Sequence, residues 1–274
     1  MLLQKKKSAL VRLSDCIKLG IGNCLDTTNA IIDLYMKYEE PIQEIGAIAK
    51  AILEDRISAE EGKKKKKKLL EVKKISEEDA RREVSLEGRL HSECLSVILN
   101  CCFALESYVN SLGYYVLQEK DFLSLFREGH EATAEVLIDA IEKMSTLTKW
   151  ETMGKLKKGK SFDRSKSPFQ DLKILFNFRN DIVHDKVADY SDDREDKRYN
   201  KKLPDPVFGF LTIRHVIFAA DTYWGMISEI HTILSTDISE FHRHYNLKPW
   251  FNDDFEQEVR KASAAYSNVA ETSD

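Results

Sequence analysis

The 274 residues, of which 42% are apolar, suffice for one large domain, or for one domain with a helical extension. Five prolines and eleven glycines are few for this length, which disfavours a turn-rich β architecture and predicts an all-α fold. The formal net charge of −4 excludes a uniformly basic nucleic-acid-binding surface, so any nucleic-acid binding must rest on local patches.

The five cysteines are odd in number and form no CxxC pair, which indicates a reduced, intracellular protein without a disulfide framework or zinc knuckle. Lys5–Lys7 are not followed by an apolar segment, so no secretory signal is expected. No run of about 18 apolar residues is present, so we expect no membrane span. Together these features predict a cytoplasmic protein.

Residues 8–57 have apolar side chains at helical spacing. Because Pro41 interrupts this pattern, we predict two helices on either side of it. Six lysines follow, Lys63–Lys68, and like charges packed so densely resist burial. This segment is therefore interpreted as a solvated tether or exposed helix end. The alternative is a phosphate-binding arm.

Residues 76–118 are predicted to form a charged lead-in and then a strongly apolar helix, and Glu106 falls on its apolar stripe. The other members of this predicted stripe are Leu95, Ile98, Leu99, Cys102, Val109 and Gly113. A second helix is predicted over about 131–145.

A basic connection comes next in the chain. Its cations are Lys155, Lys157, Lys158, Lys160, Arg164 and Lys166. We interpret it either as an RNA-binding segment or as an exposed loop that lysine keeps soluble. Trp150 and Phe162 bracket it, and core packing is the expected role of both.

Pro168 is predicted to open a third helix, which runs from Phe169 to about Val187. A charged loop over 189–206 and a long apolar helix over about 207–235 follow. The segment after Pro249 is acidic and then rich in Ser and Ala, so we predict that it frays.

The third helix carries an arginine near the centre of its apolar face, since Leu172, Leu175 and Phe176 share that face with Arg179. Val183 also lies on this face. A guanidinium is costly to desolvate unless it is paired. One explanation is an internal ion pair with Glu106. The other is a cleft or dimer interface in which Arg179 meets an anionic ligand.

His184 follows Asn180 by four residues, so both lie on one side of the helix, within reach of Arg179. The three residues offer a fixed cation, an amide and a group that titrates near neutrality. Such a set is suited to binding a phosphodiester and moving a proton.

The segment Leu175-Phe176-Asn177-Phe178-Arg179-Asn180-Asp181-Ile182-Val183-His184 resembles the R-x4-6-H signature of HEPN domains. The upstream segment Phe103-Ala104-Leu105-Glu106-Ser107-Tyr108-Val109-Asn110 is similar to the first HEPN helix, which often carries an acidic residue and a nearby Asn. The resemblance covers about residues 85–235. It implies an all-α, HEPN-like bundle of four to five helices over 81–240. A helical extension with a lysine-rich linker would precede it over 1–80, and a C-terminal tail would occupy 241–274.

The resemblance also implies an activity, because many HEPN domains are metal-independent endoribonucleases of toxin–antitoxin, antiviral defence or stress systems. RNA would be cleaved by attack of the adjacent 2′-hydroxyl. Arg179 would stabilise the transition state, Asn180 would hold His184 or a phosphate oxygen, and His184 would be general acid or base. Glu106 and Asn110 would support this set. A homodimer with facing motif helices is expected.

No cofactor or metal is expected, because His242 and His244 lack acidic or thiol partners close in sequence. An antitoxin or other regulatory protein is a further expected partner. Two other hypotheses stay open. One is a non-catalytic HEPN domain that binds RNA, a nucleotide or a protein. The other is a helical adaptor, which predicts an Arg179 fully buried against Glu106.

Overall fold

The computed structural model describes residues 2–53, 58–73, 77–117, 121, 134–184, 211–245, 247 and 253–271. Within these ranges the chain forms helices and no strand, which confirms the all-α prediction. The helices are α1 (Leu2–Leu53), α2 (Ala59–Lys73), α3 (Glu77–Val116), α4 (Ala134–Lys143), α5 (Thr146–Lys158), α6 (Phe169–His184), α7 (Ile213–Leu234), α8 (Ile238–Tyr245) and α9 (Asp253–Glu271).

The N-terminal region forms one long helix, so the prediction of two helices was wrong: Pro41 lies inside α1. The lysine run is helical as well, because Lys63–Lys68 lie in α2. The run is solvated as predicted, with Lys66 half-buried and the other five lysines exposed. Lys65 pairs with Glu61 one turn earlier at 2.9 Å. Of the two predicted structures for this segment, a solvated tether and an exposed helix end, the structure therefore has the exposed helix.

Only the first part of the predicted basic connection is helical, because α5 ends at Lys158 and residues 159–166 form no helix. Both ends of α5 have local causes. Ser145 caps the first turn, its Oγ accepting a hydrogen bond from the amide of Thr148 at 3.2 Å. Gly159 ends the helix with φ of 64°, in the left-handed region that glycine adopts without strain.

The third predicted helix corresponds to α6, and the carbonyl of Pro168 accepts the amide of Leu172 at 2.9 Å in its first turn. The long apolar helix corresponds to α7. The predicted loop over 189–206 lies outside the described residues. The C-terminal segment was mispredicted, because 253–271 form α9 and its Val259 and Ala262 are buried.

The chain divides into two compact units. The first unit comprises Met1–Leu19, Ser96–Gly209 and His215–Trp250, and the second comprises Gly20–Leu95, Phe210–Arg214 and Phe251–Asp274. The boundaries predicted at 80/81 and 240/241 fall inside α3 and α8. The division into three consecutive segments stays a prediction.

The core of the first unit forms around Tyr108 of α3, which is fully buried. Its ring stacks on Trp150 at a centroid distance of 6.3 Å, and Trp150 meets Phe162 edge-on. Trp150 and Phe162 are 0% and 4% exposed, so their predicted role in core packing is confirmed. The Tyr108 hydroxyl lies 2.8 Å from Nε2 of His231 and 3.3 Å from Nε2 of His242. Its polar end is therefore satisfied inside an aromatic core.

The second unit packs α1 against the first half of α3. Thr27 donates from its hydroxyl to the carboxylate of Glu93 at 2.7 Å. The Sγ atoms of Cys24 and Cys94 are 3.9 Å apart and buried, and both thiols are free. His91 accepts the amide of Leu211 at 3.0 Å and so connects α3 to the residues before α7.

One stretch of α3, Arg81–Val116, is long and apolar enough to cross a membrane by length and composition. It is 56% buried inside the protein over its most apolar part, and buried core helices satisfy the same criterion. This is weak evidence, and the predicted cytoplasmic location stays a prediction.

Candidate functional site

The predicted motif lies in the last turns of α6, which packs against α3. The contact is direct, since Sγ of Cys102 lies 3.9 Å from the carbonyl oxygen of Leu175. The buried face of α6 is wider than predicted, because Ile174 and Phe178 join Leu172, Leu175 and Phe176 in the core. Arg179 therefore lies at the edge of the buried face, and it is partly exposed.

Arg179 makes two described contacts. Its Nη1 donates to Oδ1 of Asn180 at 3.1 Å, and its guanidinium lies over the ring of Phe103, 5.6 Å from the centroid. Phe103 is itself 40% exposed, so the pair lies at the surface. Nε of Arg179 is buried without a hydrogen-bond partner. One donor of this cation is thus left unsatisfied by the described residues.

The expected ion pair between Arg179 and Glu106 is not formed: no salt bridge within 4.0 Å joins the two side chains, both of which belong to the described residues. Both nevertheless lie close to Cys102. Burial raises the pKa of the Cys102 thiol to about 12, the positive charge of Arg179 opposes this rise, and the negative charge of Glu106 adds to it. Within the described part of the chain, Arg179 therefore lies near a carboxylate of α3 without forming an ion pair.

Glu106 was placed mid-stripe on α3, and this placement was wrong. The fully buried line of α3 instead contains Val97, Cys101, Leu105, Tyr108 and Leu112. Glu106 lies beside it and is half-buried, as are Leu95, Leu99 and Gly113 of the predicted stripe. An edge position keeps a carboxylate in contact with water, which removes the need for an internal cation.

His184 is the last described residue of α6. Its backbone position is described, and its side chain lies outside the described part of the chain. Asn180 and His184 are four residues apart in one continuous helix, which places them on the same side of it.

Three of the six predicted RNA-binding cations are paired with carboxylates. Lys157 contacts Asp121 at 2.9 Å, and Lys166 contacts Asp163 at 3.3 Å. Arg164 binds Glu151, donating from Nη2 at 2.5 Å. The remaining three are exposed, and no described ion pair involves them: Lys155, Lys158 and Lys160. The basic character of this segment therefore rests on these lysines.

The predicted supporting residue Asn110 lines a pocket with residues of α4 and α5. Asn110 therefore lines the same pocket as Ile141 of α4 and Lys149 of α5. Glu106, by contrast, lies close to Cys102, on the part of α3 that contacts α6.

Sequence reasoning missed Phe103 as a site residue. The periodicity of α3 gave no signal for it, because Phe103 lies outside the fully buried line of the helix and is 40% exposed. Among the described residues no group of three or more His, Cys, Asp or Glu side chains is arranged to hold a metal ion. His242 is engaged with Tyr108, and burial lowers its pKa.

Comparison with protein-family models, with curated proteins and with solved structures finds no match to this chain. The assignment of a function therefore rests on its residues and geometry.

Proposed function

We propose that this protein is a metal-independent endoribonuclease of the HEPN type, with a role in stress response, toxin activity or antiviral defence. The observation that supports it is the state of Arg179, a partly exposed guanidinium without a carboxylate partner among the described residues. An unpaired cation at a helix edge is suited to an anionic ligand such as a phosphodiester. The exposed ring of Phe103 beside it offers a surface on which a base would stack.

In the proposed reaction the 2′-hydroxyl of RNA attacks the adjacent phosphorus. Its proton passes to a general base as the new P–O2′ bond forms. The P–O5′ bond then breaks, and a general acid protonates the leaving 5′-oxygen. The products are a 2′,3′-cyclic phosphate and a 5′-hydroxyl.

His184 would act as acid or base in this sequence, and Arg179 would stabilise the charge on the transition state. In the proposed homodimer the motif helices face each other, so one copy of His184 would act as the general base and the other as the general acid. Asn180 holds the guanidinium of Arg179 and would fix its orientation toward the phosphate. Lys155, Lys158 and Lys160 would attract the RNA backbone.

A second candidate is RNA binding without cleavage. The Arg179–Asn180 hydrogen bond favours it, because these two side chains would bind a phosphate together without any histidine. In this second candidate the domain would bind a nucleotide or a protein in place of RNA. In either candidate an antitoxin would control the protein.

RNA cleavage in excess EDTA separates the two candidates. We expect the parent protein to release fragments that end in 2′,3′-cyclic phosphate, whereas His184→Ala loses at least about 100-fold in rate. Arg179→Met should lose a similar factor. Lys173→Met, which removes a cation from the same helix that lies over the Phe169 ring, is the matched control and should cleave normally.

Cleavage that survives His184→Ala removes the histidine from the mechanism. RNA binding that depends on Arg179, without cleavage of any RNA by the folded parent protein, supports the second candidate instead. The absence of both activities contradicts both.

A further inference from the structure

We infer that the lysine helix α2 of the second unit binds duplex DNA in its major groove, through the phosphates and without reading the base sequence. Six consecutive lysines, Lys63–Lys68, lie in this helix, and all except the half-buried Lys66 are exposed. So dense a cationic surface attracts a polyanion even though the net charge of the chain is −4. The proposed nuclease site uses none of these residues, so the inference is independent of it.

The first turn of α2 is capped, which fixes the helix before the lysines begin. The hydroxyl of Ser58 accepts the amide of Glu61 at 3.2 Å, and its carbonyl accepts the amide of Gly62 at 2.9 Å. Glu60 and Glu61 lie in this turn, where negative charge suits the helix dipole. The lysines that follow are therefore held at helical spacing.

Most of the exposed lysines of α2 are not neutralised by a carboxylate. Lys65 pairs with Glu61 at 2.9 Å. The other four exposed lysines form no ion pair with any residue that the structure describes. Like charges four residues apart in a helix repel each other, and Lys63 and Lys67 are such a pair. A bound polyanion would relieve this repulsion.

The directions in which the lysines project select the partner. At about 100° per residue, Gly62 and Lys66 lie on one side of α2. This side faces the protein, because Gly62 is buried and Lys66 is half-buried. The five exposed lysines spread over about 200° of the opposite side, with Lys64 in the middle. Lys63 and Lys65 lie about 100° to either side of Lys64 and so project in nearly opposite directions.

This spread matches a partner that has phosphates on two sides of the helix. The major groove of B-form DNA admits an α-helix and has a phosphate backbone along each border. A flat lipid bilayer would meet only the middle of the spread, and the exposed residues from 60 to 68 are all charged, so none of them would insert among lipids. The major groove of duplex RNA is too deep and narrow for a helix, and single-stranded RNA has no groove.

The composition of α2 indicates binding without sequence preference. The helix contains no Arg, Asn or Gln, which commonly make bidentate contacts with base edges. The ammonium of lysine acts as a point charge toward phosphate, and contacts with phosphate carry no sequence information. We therefore expect similar affinity for DNA duplexes of different sequence, with a strong dependence on salt.

The test uses the full-length protein and a labelled DNA duplex of about 20 base pairs, whose affinity is measured by fluorescence anisotropy from about 50 to 200 mM salt. Each lysine that contacts a phosphate of duplex DNA contributes about 0.9 to the slope of log affinity against log salt. Replacing Lys63, Lys64 and Lys67 together by Gln should therefore lower the slope by about 2.7. Arg179→Met should leave it unchanged, because Arg179 belongs to the nuclease site.

The matched control replaces Lys18, Lys143 and Lys261 by Gln, which changes the net charge by the same amount. These exposed lysines are scattered over α1, α4 and α9, so their replacement should leave the slope unchanged. All six positions are exposed and glutamine is a good helix former, so both variants should fold, which circular dichroism checks.

Two further measurements test the groove itself. The DNA duplex should bind at least about 10-fold more tightly than an RNA duplex of the same sequence, because only the DNA groove admits α2. Methyl green, a cation that occupies the major groove, should displace the protein from DNA. Netropsin, a cation that occupies the minor groove, should not.

The inference is overturned if the parent protein does not bind the DNA duplex, or if the α2 variant keeps the parent's slope. It is also overturned if the RNA duplex, or vesicles that contain phosphatidylserine, bind as tightly as DNA through the same three lysines. Displacement by netropsin and not by methyl green would exclude the major groove.

Discussion

At the scale of single residues, the contacts of Arg179 bear on whether its guanidinium stabilises the fold or binds a ligand. A buried ion pair that loses one partner costs about 3–5 kcal/mol, because the other charge is left unpaired. Arg179 has no such partner among the described residues, and its Nε is already unsatisfied. We therefore expect its side chain to contribute little to folding, which is compatible with the proposed ligand-binding role.

We predict that Arg179→Met changes the free energy of unfolding by less than about 1 kcal/mol, as is usual where no buried partner is lost. Methionine keeps much of the contact with Phe103 and removes the unsatisfied donor. Urea denaturation followed by circular dichroism measures the change. A loss of about 3 kcal/mol or more would show that the guanidinium has a structural anion after all.

His231 is a second residue that affects stability, because it is 4% exposed within the aromatic core and can bind a proton. Burial and, to a lesser degree, the neighbouring His242 lower its pKa from 6.5 to about 4, and Thr236 and Asp237 oppose the shift. The folded state thus keeps this imidazole neutral where the unfolded chain would protonate it. The associated stability is fully present above pH 6.5 and is lost as the pH falls from 6.5 toward 4.

We predict that this group alone removes at most about 3 kcal/mol of stability between pH 6.5 and pH 4. His231→Gln keeps a partner for the Tyr108 hydroxyl and cannot titrate, so its stability should fall less steeply over the same interval. His244→Gln, an exposed histidine of α8, serves as the control. Equal slopes for His231→Gln and the parent in urea denaturation at a series of pH values would contradict the prediction.

At the scale of helices, patterns with strong periodicity predicted the elements well. The apolar faces of α3, α6 and α7 are long and regular, so burial dominates every local preference there. Three local signals misled the prediction: Pro41, the lysines of α5, and the polar composition of 253–271. In each case the helix continues: a buried face along α1 outweighs Pro41, and lysine and alanine are good helix formers in α5 and in 253–271.

The candidate site was also predicted only in part: positions within one helix were predicted better than contacts between helices. The sequence placed Asn180 and His184 on one side of the helix within reach of Arg179, and the side chains of Arg179 and Asn180 do meet. It misplaced Glu106 because Glu106 shares the spacing of Cys102 and Val109 in the predicted stripe, although it lies on the solvent side of the fully buried line. The contact of Arg179 with Phe103 and the position of Asn110 beside α4 and α5 depend on packing between helices, which periodicity within one helix does not encode.

Two glycines provide a test of how α5 and α3 are built. Gly159 ends α5 with a positive φ of 64°, where a Cβ is strained, so Gly159→Ala should destabilise the fold by about 1 kcal/mol. Gly88 lies inside α3, and a Cβ added to it would meet no atom within 4 Å, so Gly88→Ala should stabilise the protein by about 0.5–1 kcal/mol. Thermal unfolding of both variants checks the opposite signs. Shifts of equal sign would contradict the capping role of Gly159.

At the scale of the whole molecule, the charge distribution decides how RNA would be attracted. The net charge of −4 repels a polyanion on average, so binding requires local cations that are not neutralised within the protein. Ion pairing removes three of the six cations between 155 and 166 from this role. The α2 lysines form the other exposed basic cluster among the described residues.

We predict that replacing Lys155, Lys158 and Lys160 together by Gln lowers the slope of log affinity against log salt for single-stranded RNA by about 2. Each lysine that contacts a phosphate contributes about 0.7 through counterion release, so three contribute about 2. The matched control replaces Lys63, Lys64 and Lys67 of α2, which changes the net charge by the same amount. Electrophoretic mobility shifts from about 50 to 200 mM salt measure both slopes. If the α2 variant lowers the slope and the other does not, the lysine helix is the phosphate-binding arm, and the segment before α6 is only a soluble surface.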